Sequence, residues 1–172
     1  MESKVTIPEK VKVNLDNSTV TVEGPGGNAS RTFTHPRITI AKEGDALKIK
    51  TESVQKKDRA VFGTWVAHLN NMVKGAEKSY EYHLKVLFTH FPITVKQQDN
   101  KFIITNYMGE KGTKTADIRP GVKAVIQKED ITLTGPSKED VGQTAANLEK
   151  SCKQKTKDIR VFQDGIYITK KG

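Results

Sequence analysis

The chain has 172 residues, of which 35% are hydrophobic and only 6% aromatic, so it can build one modest core or two small ones. Lysine and arginine total 29 against 20 acids, a net charge of +9 that favours a polyanionic partner, most commonly nucleic acid. No window approaches the roughly 18 apolar residues of a membrane span, the opening Met1-Glu-Ser-Lys-Val-Thr-Ile-Pro8 lacks a secretory apolar run, and the lone Cys152 excludes a disulfide framework; a cytoplasmic protein without a membrane partner is expected.

Along the first half, Val11–Leu15 and Val20–Val22 alternate apolar and polar residues and predict strands. Asp16-Asn17-Ser18 between them suits a tight hairpin turn. Gly24-Pro25-Gly26-Gly27 resembles a phosphate loop only superficially. No Lys-Ser/Thr follows and the next stretch reads as extended, so it is a turn. Ile38–Ile40 and Leu47–Ile49 repeat the alternation around Glu43-Gly44-Asp45. The period then changes. Phe62, Trp65, Val66, Leu69 and Met72 fall on one face of a helix expected over residues 56–74, with Gly75 as its stop.

The second half repeats this plan. Tyr80–Leu87, Ile93–Lys96, Phe102–Ile104, Val122–Ile126 and Ile131–Leu133 read as strands, and His90-Phe91-Pro92 as a turn between two of them. Gly135-Pro136-Ser137 follows, with Ser137 a good N-cap and Asp140 near it in the first turn. Val141, Ala145, Leu148 and Cys152 then form a second helical stripe, in which Cys152 is a small buried hydrophobe. Val20-Thr-Val-Glu-Gly-Pro-Gly26 matches Ile131-Thr-Leu-Thr-Gly-Pro-Ser137 locally. Strands followed by a helix, twice, predict an α+β fold of two tandem similar domains produced by internal duplication. Each would be an antiparallel β-sheet covered by one main α-helix. The boundary is expected near residues 75–82, giving an N-terminal domain over 1–79 and a C-terminal domain over 80–172.

Charge is unevenly spread. Residues 1–79 carry a net +4 and residues 80–149 are neutral, whereas 150–172 hold Lys150, Lys153, Lys155, Lys157, Arg160, Lys170 and Lys171 against only Asp158 and Asp164. Val161-Phe162 and Ile166-Tyr167-Ile168 interrupt these charges, which a purely solvated tail rarely needs. Gly109-Glu-Lys-Gly-Thr-Lys-Thr115 offers Lys111 and Lys114 on a Gly-punctuated loop able to follow a sugar-phosphate backbone. Chemistry is harder to find. His35, His68, His83 and His90 have no metal-ligand spacing and there is no second cysteine. No nucleophile motif occurs. The acids Glu129-Asp130 would point apart on a strand, and Glu139-Asp140 suit a helix dipole. No catalysis, metal, cofactor or small-molecule substrate is expected.

The helix opening Val141-Gly-Gln-Thr-Ala-Ala-Asn147 and the ending Lys157-Asp-Ile-Arg-Val-Phe-Gln-Asp-Gly-Ile-Tyr-Ile168 resemble the large-subunit ribosomal protein six family, in its archaeal and eukaryotic branch. Thr89-His-Phe-Pro-Ile-Thr-Val95, Asn106-Tyr-Met-Gly-Glu-Lys111 and Val22-Glu-Gly-Pro-Gly26 extend the resemblance over nearly the whole chain. It departs from the family at Tyr107-Met108, where Phe-Leu is more usual, so the resemblance implies no role for the Tyr107 hydroxyl. The resemblance implies a non-enzymatic protein with two similar α+β domains and no cofactor. It implies binding to large-subunit ribosomal RNA, chiefly through the C-terminal half, near the sarcin-ricin loop and the base of the factor-binding stalk. Neighbouring ribosomal proteins and translation factors are the implied protein partners. Candidate phosphate contacts are Lys111, Lys114, Lys153, Lys155, Lys157, Arg160, Lys170 and Lys171, with Tyr107 and Tyr167 as stacking or sugar contacts. Gly142 is a candidate for close approach of its helix to RNA or to its own sheet. Three rival readings stay open: a free-standing RNA- or DNA-binding module, an adaptor whose basic surface meets acidic partners, and an enzyme whose catalytic groups converge from distant positions.

Overall fold

Among the residues that the computed structural model describes (1–53, 55–154 and 157–172), the chain divides into two units, Met1–Ser79 and Tyr80–Gly172. The first contains β1 (Glu2–Thr6), β2 (Lys12–Asp16), β3 (Thr19–Gly24), β4 (Gly27–Thr32), β5 (Ile38–Glu43), β6 (Ala46–Thr51) and α1 (Lys56–Glu77). Its strands form two antiparallel sheets, ordered β1-β6-β5 and β2-β3-β4. Alternation does its expected work: Val20 and Val22 are fully buried on β3 while Glu23 is exposed. Asn17 and Gly44 take positive φ, 51° and 57°, at the two hairpin turns read from the sequence. On α1, Phe62, Trp65, Leu69 and Met72 are buried with Val5, Phe33, Leu47 and Ile49 in one core.

Gly75 does not stop the helix. α1 continues to Glu77, and Gly75 and Ala76 are buried within it. The reason is tertiary. The β3–β4 turn docks on the end of the helix, with the Gly26 amide donating to the Ala76 carbonyl at 2.7 Å. A Cβ on Gly26 would lie 2.4 Å from the Gly75 carbonyl oxygen, so glycine is required there by close approach of two backbones.

The second unit contains β7 (Tyr80–Leu87), β8 (Thr94–Gln98), β9 (Lys101–Thr105), a 3₁₀ turn (Tyr107–Gly109), β10 (Lys114–Asp117), β11 (Lys123–Gln127), β12 (Asp130–Gly135), α2 (Lys138–Ser151) and β13 (Gly165–Lys170). The antiparallel sheets are β10-β9-β8 and β11-β12-β7-β13. Ser137 caps α2, its Oγ accepting from the Asp140 amide at 3.3 Å. Val141, Ala145, Leu148 and Cys152 join Leu84, Phe102, Ile131 and Leu133 in the core.

The two units share one topology. β1-β6-β5 corresponds to β7-β12-β11, β2-β3-β4 to β8-β9-β10, and α1 to α2. The duplication is therefore one of two sheets and a helix, where the strand pattern alone suggested a single sheet per helix. It also differs from the local sequence match. Val20–Gly26 runs from β3, the counterpart of β9, into the turn after it, whereas Ile131–Ser137 runs from β12, the counterpart of β6, into the N-cap of α2. Both stretches end in Gly-Pro because proline lacks the amide that would extend a ladder, not because they are equivalent strands.

Against this common plan the second unit carries two additions. Pro25 and Gly26 alone join β3 to β4, but residues 106–113 join β9 to β10. After α2 the chain continues through residues 152–164 into β13, which pairs with the edge of β7 whose counterpart on β1 has no strand partner among the described residues. Part of the segment expected to be a flexible loop is thereby a strand: Lys114 opens β10 and pairs with Ile104.

Candidate nucleic-acid interface

The two additions hold most of the residues singled out from the sequence as RNA contacts, with Lys114 at the start of β10 beside the first and Gly142 apart from both on α2, and the additions meet. Lys111, Lys153, Lys157, Arg160, Lys170 and Lys171 are exposed, and Lys114 is half-buried. Lys155 lies outside the described residues. Lys150 lies in the last turn of α2 and Lys153 just beyond its end, where cations favour the helix dipole. Lys170 closes the edge strand β13. Among the described residues, Lys153, Lys170 and Lys171 form no ion pair with an acid, which leaves three-donor ammonium groups open to phosphate.

Tyr107 is not available to stack on a base. It is only 2% exposed and belongs to the core of its unit. Asn106 and Met108 on either side both take left-handed backbone conformations, φ 60° and 54°, and the Asn106 side chain donates to the Pro92 carbonyl at 3.0 Å. The turn directs the Tyr107 ring inward, where burial pushes its phenol up to about 12. The Lys114 ammonium covers the ring at 4.0 Å from its centre and also pairs with Glu110 at 3.5 Å.

Tyr167 is 41% exposed and is held flat. Its hydroxyl donates to the Gln163 carbonyl at 3.0 Å, and its ring lies over Gly165, where a Cβ would come within 3.3 Å of the ring. Lys85 is its cross-strand partner on β7. An aromatic plate beside an ammonium suits a base or a sugar. Gly142 is not needed for packing, since a Cβ there would sit 3.6 Å from the Tyr82 hydroxyl, an ordinary contact.

Between α2 and β13 the chain makes a turn held by Asp158. Its carboxylate accepts from the Arg160 amide at 2.9 Å and from the Arg160 guanidinium at two points, each 3.2 Å, leaving the Arg160 side chain 87% exposed. Further along, the Lys157 ammonium lies 4.6 Å from the centre of the Phe162 ring, and Phe162 stacks on His90 at 4.9 Å. Asp164 closes the segment. Its side chain is fully buried and accepts from the Thr89 amide, from the Thr89 hydroxyl at 2.8 Å, and faces His90 Nδ1 at 3.2 Å. Burial opposes its ionisation, but the bonds from Thr89 and His90 outweigh that and hold the carboxyl below its ordinary range. The Tyr107 hydroxyl donates to the Asp164 carbonyl at 3.4 Å, joining the second addition to the first.

Sequence reasoning missed Asp164, Thr89 and Phe162 as parts of this site. The one signal was an acid placed next to Gly165 inside a basic segment, and a carboxylate there reads as charge balance until its partners are known. Among the described residues, no cluster of His, Cys, Asp or Glu could hold a metal, and no helix is long and apolar enough to cross a membrane.

Residues 7–79 and 84–165 each match the family model of Ribosomal protein L6, one match in each duplicated half. The Large ribosomal subunit protein uL6 of Methanobrevibacter smithii is 43% identical over 171 residues, covering 99% of this chain and 96% of that protein. Proteins of the same description from Aeropyrum pernix and Saccharolobus solfataricus are 42% and 40% identical. These cover 96% and 99% of this chain and 91% and 95% of their own lengths.

Proposed function

The chain belongs to the ribosomal protein L6 family, and from that membership we propose that it is a structural constituent of the large ribosomal subunit, not an enzyme, which binds large-subunit ribosomal RNA through its C-terminal unit. The site on the RNA is the neighbourhood of the sarcin-ricin loop and the base of the factor-binding stalk. Neighbouring ribosomal proteins are its other partners in the cytoplasmic ribosome, and translation factors approach the same region.

One observation supports the C-terminal assignment above the rest. The two units share a framework, and only the second adds the β9–β10 loop and the α2–β13 segment, which carry the cations. Lys111, Lys153, Lys155, Lys157, Arg160, Lys170 and Lys171 neutralise phosphates, with Lys114 at the rim, and supply most of the affinity. Tyr167 supplies a flat contact for a base or sugar, and the shape of the folded segment selects an RNA junction over a uniform helix.

Ultraviolet crosslinking in intact cells, with sequencing of the attached RNA, tests this. Crosslinks concentrated in large-subunit ribosomal RNA, through peptides from residues 107–115 and 150–171, are expected. Crosslinks scattered over messenger RNA, or none above background, would overturn the reading.

A further inference from the structure

We propose that Asp164 is the positioning residue of the RNA-binding face: its buried carboxylate clamps the β7–β8 loop to the α2–β13 segment and presets the basic residues before RNA arrives. The inference rests on the reading above and names the groups that shape that site.

The segment that needs positioning has little core of its own. Ile159 and Val161 are 67% and 62% exposed, so burial does not hold residues 157–163 in place. Polar contacts do. Asp164 reaches Thr89 and His90, 75 and 74 positions away in sequence, and its carbonyl receives the Tyr107 hydroxyl. One residue thus ties together three connections: β7–β8, β9–β10 and α2–β13. A fully buried carboxylate is costly unless its oxygens are bonded, and here both are. An apolar residue would hold a core as well, so a carboxylate at this point serves orientation.

His90 carries the clamp outward. While Nδ1 faces Asp164, the ring stacks on Phe162, and Phe162 receives the Lys157 ammonium. The relay from Asp164 through His90 and Phe162 fixes where Lys157 stands. Without it the segment must be ordered when RNA binds, and that ordering is subtracted from affinity.

The test uses the full chain and an in-vitro transcript of the large-subunit ribosomal RNA region that carries the sarcin-ricin loop. At exposed positions, Thr89→Val removes the hydroxyl bond to Asp164 while leaving the amide one, and His90→Ala removes the imidazole; Asp164→Asn removes the charge itself. Dissociation constants are measured across a salt series, together with melting temperature and amide exchange. The expected result for Thr89→Val and His90→Ala is an affinity about three- to tenfold weaker, the scale of ordering one or two more side chains on binding. The salt slope stays unchanged, because the same phosphates are contacted once bound. Amide exchange quickens in residues 157–166 and not across β7, β12 and α2. A role confined to holding the unit together predicts general exchange and lower melting instead, and that outcome overturns the proposal. So does wild-type affinity in both partner variants. If the wild-type chain itself fails to bind the transcript, the proposed function fails with it, and the two failures are told apart by that control. Asp164→Asn alone does not decide the matter, because it can unfold the unit; the partner variants do.

Discussion

The ammonium of Lys114 lies 4.0 Å from the centre of the Tyr107 ring. Two residues that the sequence offers as RNA contacts therefore hold each other, the cation sealing an aromatic group that faces the core. Replacing Tyr107 by alanine is expected to cost about 3–5 kcal/mol of stability, the range for emptying a buried aromatic site. Tyr107→Phe loses only the long 3.4 Å bond to Asp164, so the loss should not exceed about 1 kcal/mol. Urea unfolding of both variants measures this. RNA affinity of the phenylalanine variant should fall by less than in Thr89→Val or His90→Ala, since the ring is not at the surface and the bond lost is a long one.

The exposed lysines act differently. Replacing Lys157, Lys170 and Lys171 together by glutamine should leave unfolding within about 0.5 kcal/mol, as for ordinary surface changes. RNA binding should weaken and lose salt dependence, the log–log slope falling by about 0.7–0.9 for each phosphate contact removed. Filter binding between low and moderate salt reads both numbers. An unchanged slope would mean that these lysines stand clear of the RNA.

Acid should weaken both units. The Asp58 carboxyl is held below its ordinary value of 3.8 by a hydrogen bond from Ser53 and then by Arg37, and Asp164 is held low by Thr89 and His90 against the opposing effect of burial. A carboxylate whose folded pKa is depressed contributes stability that is present above the unfolded value and lost as pH falls through the folded one. Stability is thus expected to change little from these groups down to about pH 4 and to drop below it. Urea midpoints taken at descending pH check the prediction, and in Asp58→Asn or Asp164→Asn the acid limb should be shallower.

Two glycines make opposite predictions. A methyl group on Gly26 would meet the Gly75 carbonyl at 2.4 Å and the Ser79 amide at 2.8 Å, and Gly26→Ala should cost about 1–3 kcal/mol through overpacking. Gly63 lies inside α1 with nothing within 4 Å of a Cβ. Gly63→Ala should stabilise by about 0.5–1 kcal/mol, because alanine loses less freedom in a helix. Both are read from the shift in urea midpoint.

Local chemistry was legible in the chain alone. The alternation of Val20 and Val22, the stripe from Phe62 to Met72, the Ser137 cap and the turn at Gly24–Gly27 depend on periods and short-range bonds, and each appears where those rules put it. The concentration of cations after residue 150 is likewise a property of sequence. Contacts distant in sequence were not legible. Gly75 reads as a helix stop until Gly26 is seen to pack on it, and β12 matches β3 by composition although it corresponds to β6 by pairing. Tyr107 and Tyr167 carry the same hydroxyl on the same ring, yet one is sealed under Lys114 and the other lies open over Gly165. No neighbour in sequence distinguishes them, because burial is set by strands that pair across the fold. Asp164 makes the point most plainly: as a letter it subtracts one charge from a basic tail, and only the approach of Thr89 and His90 makes it a clamp.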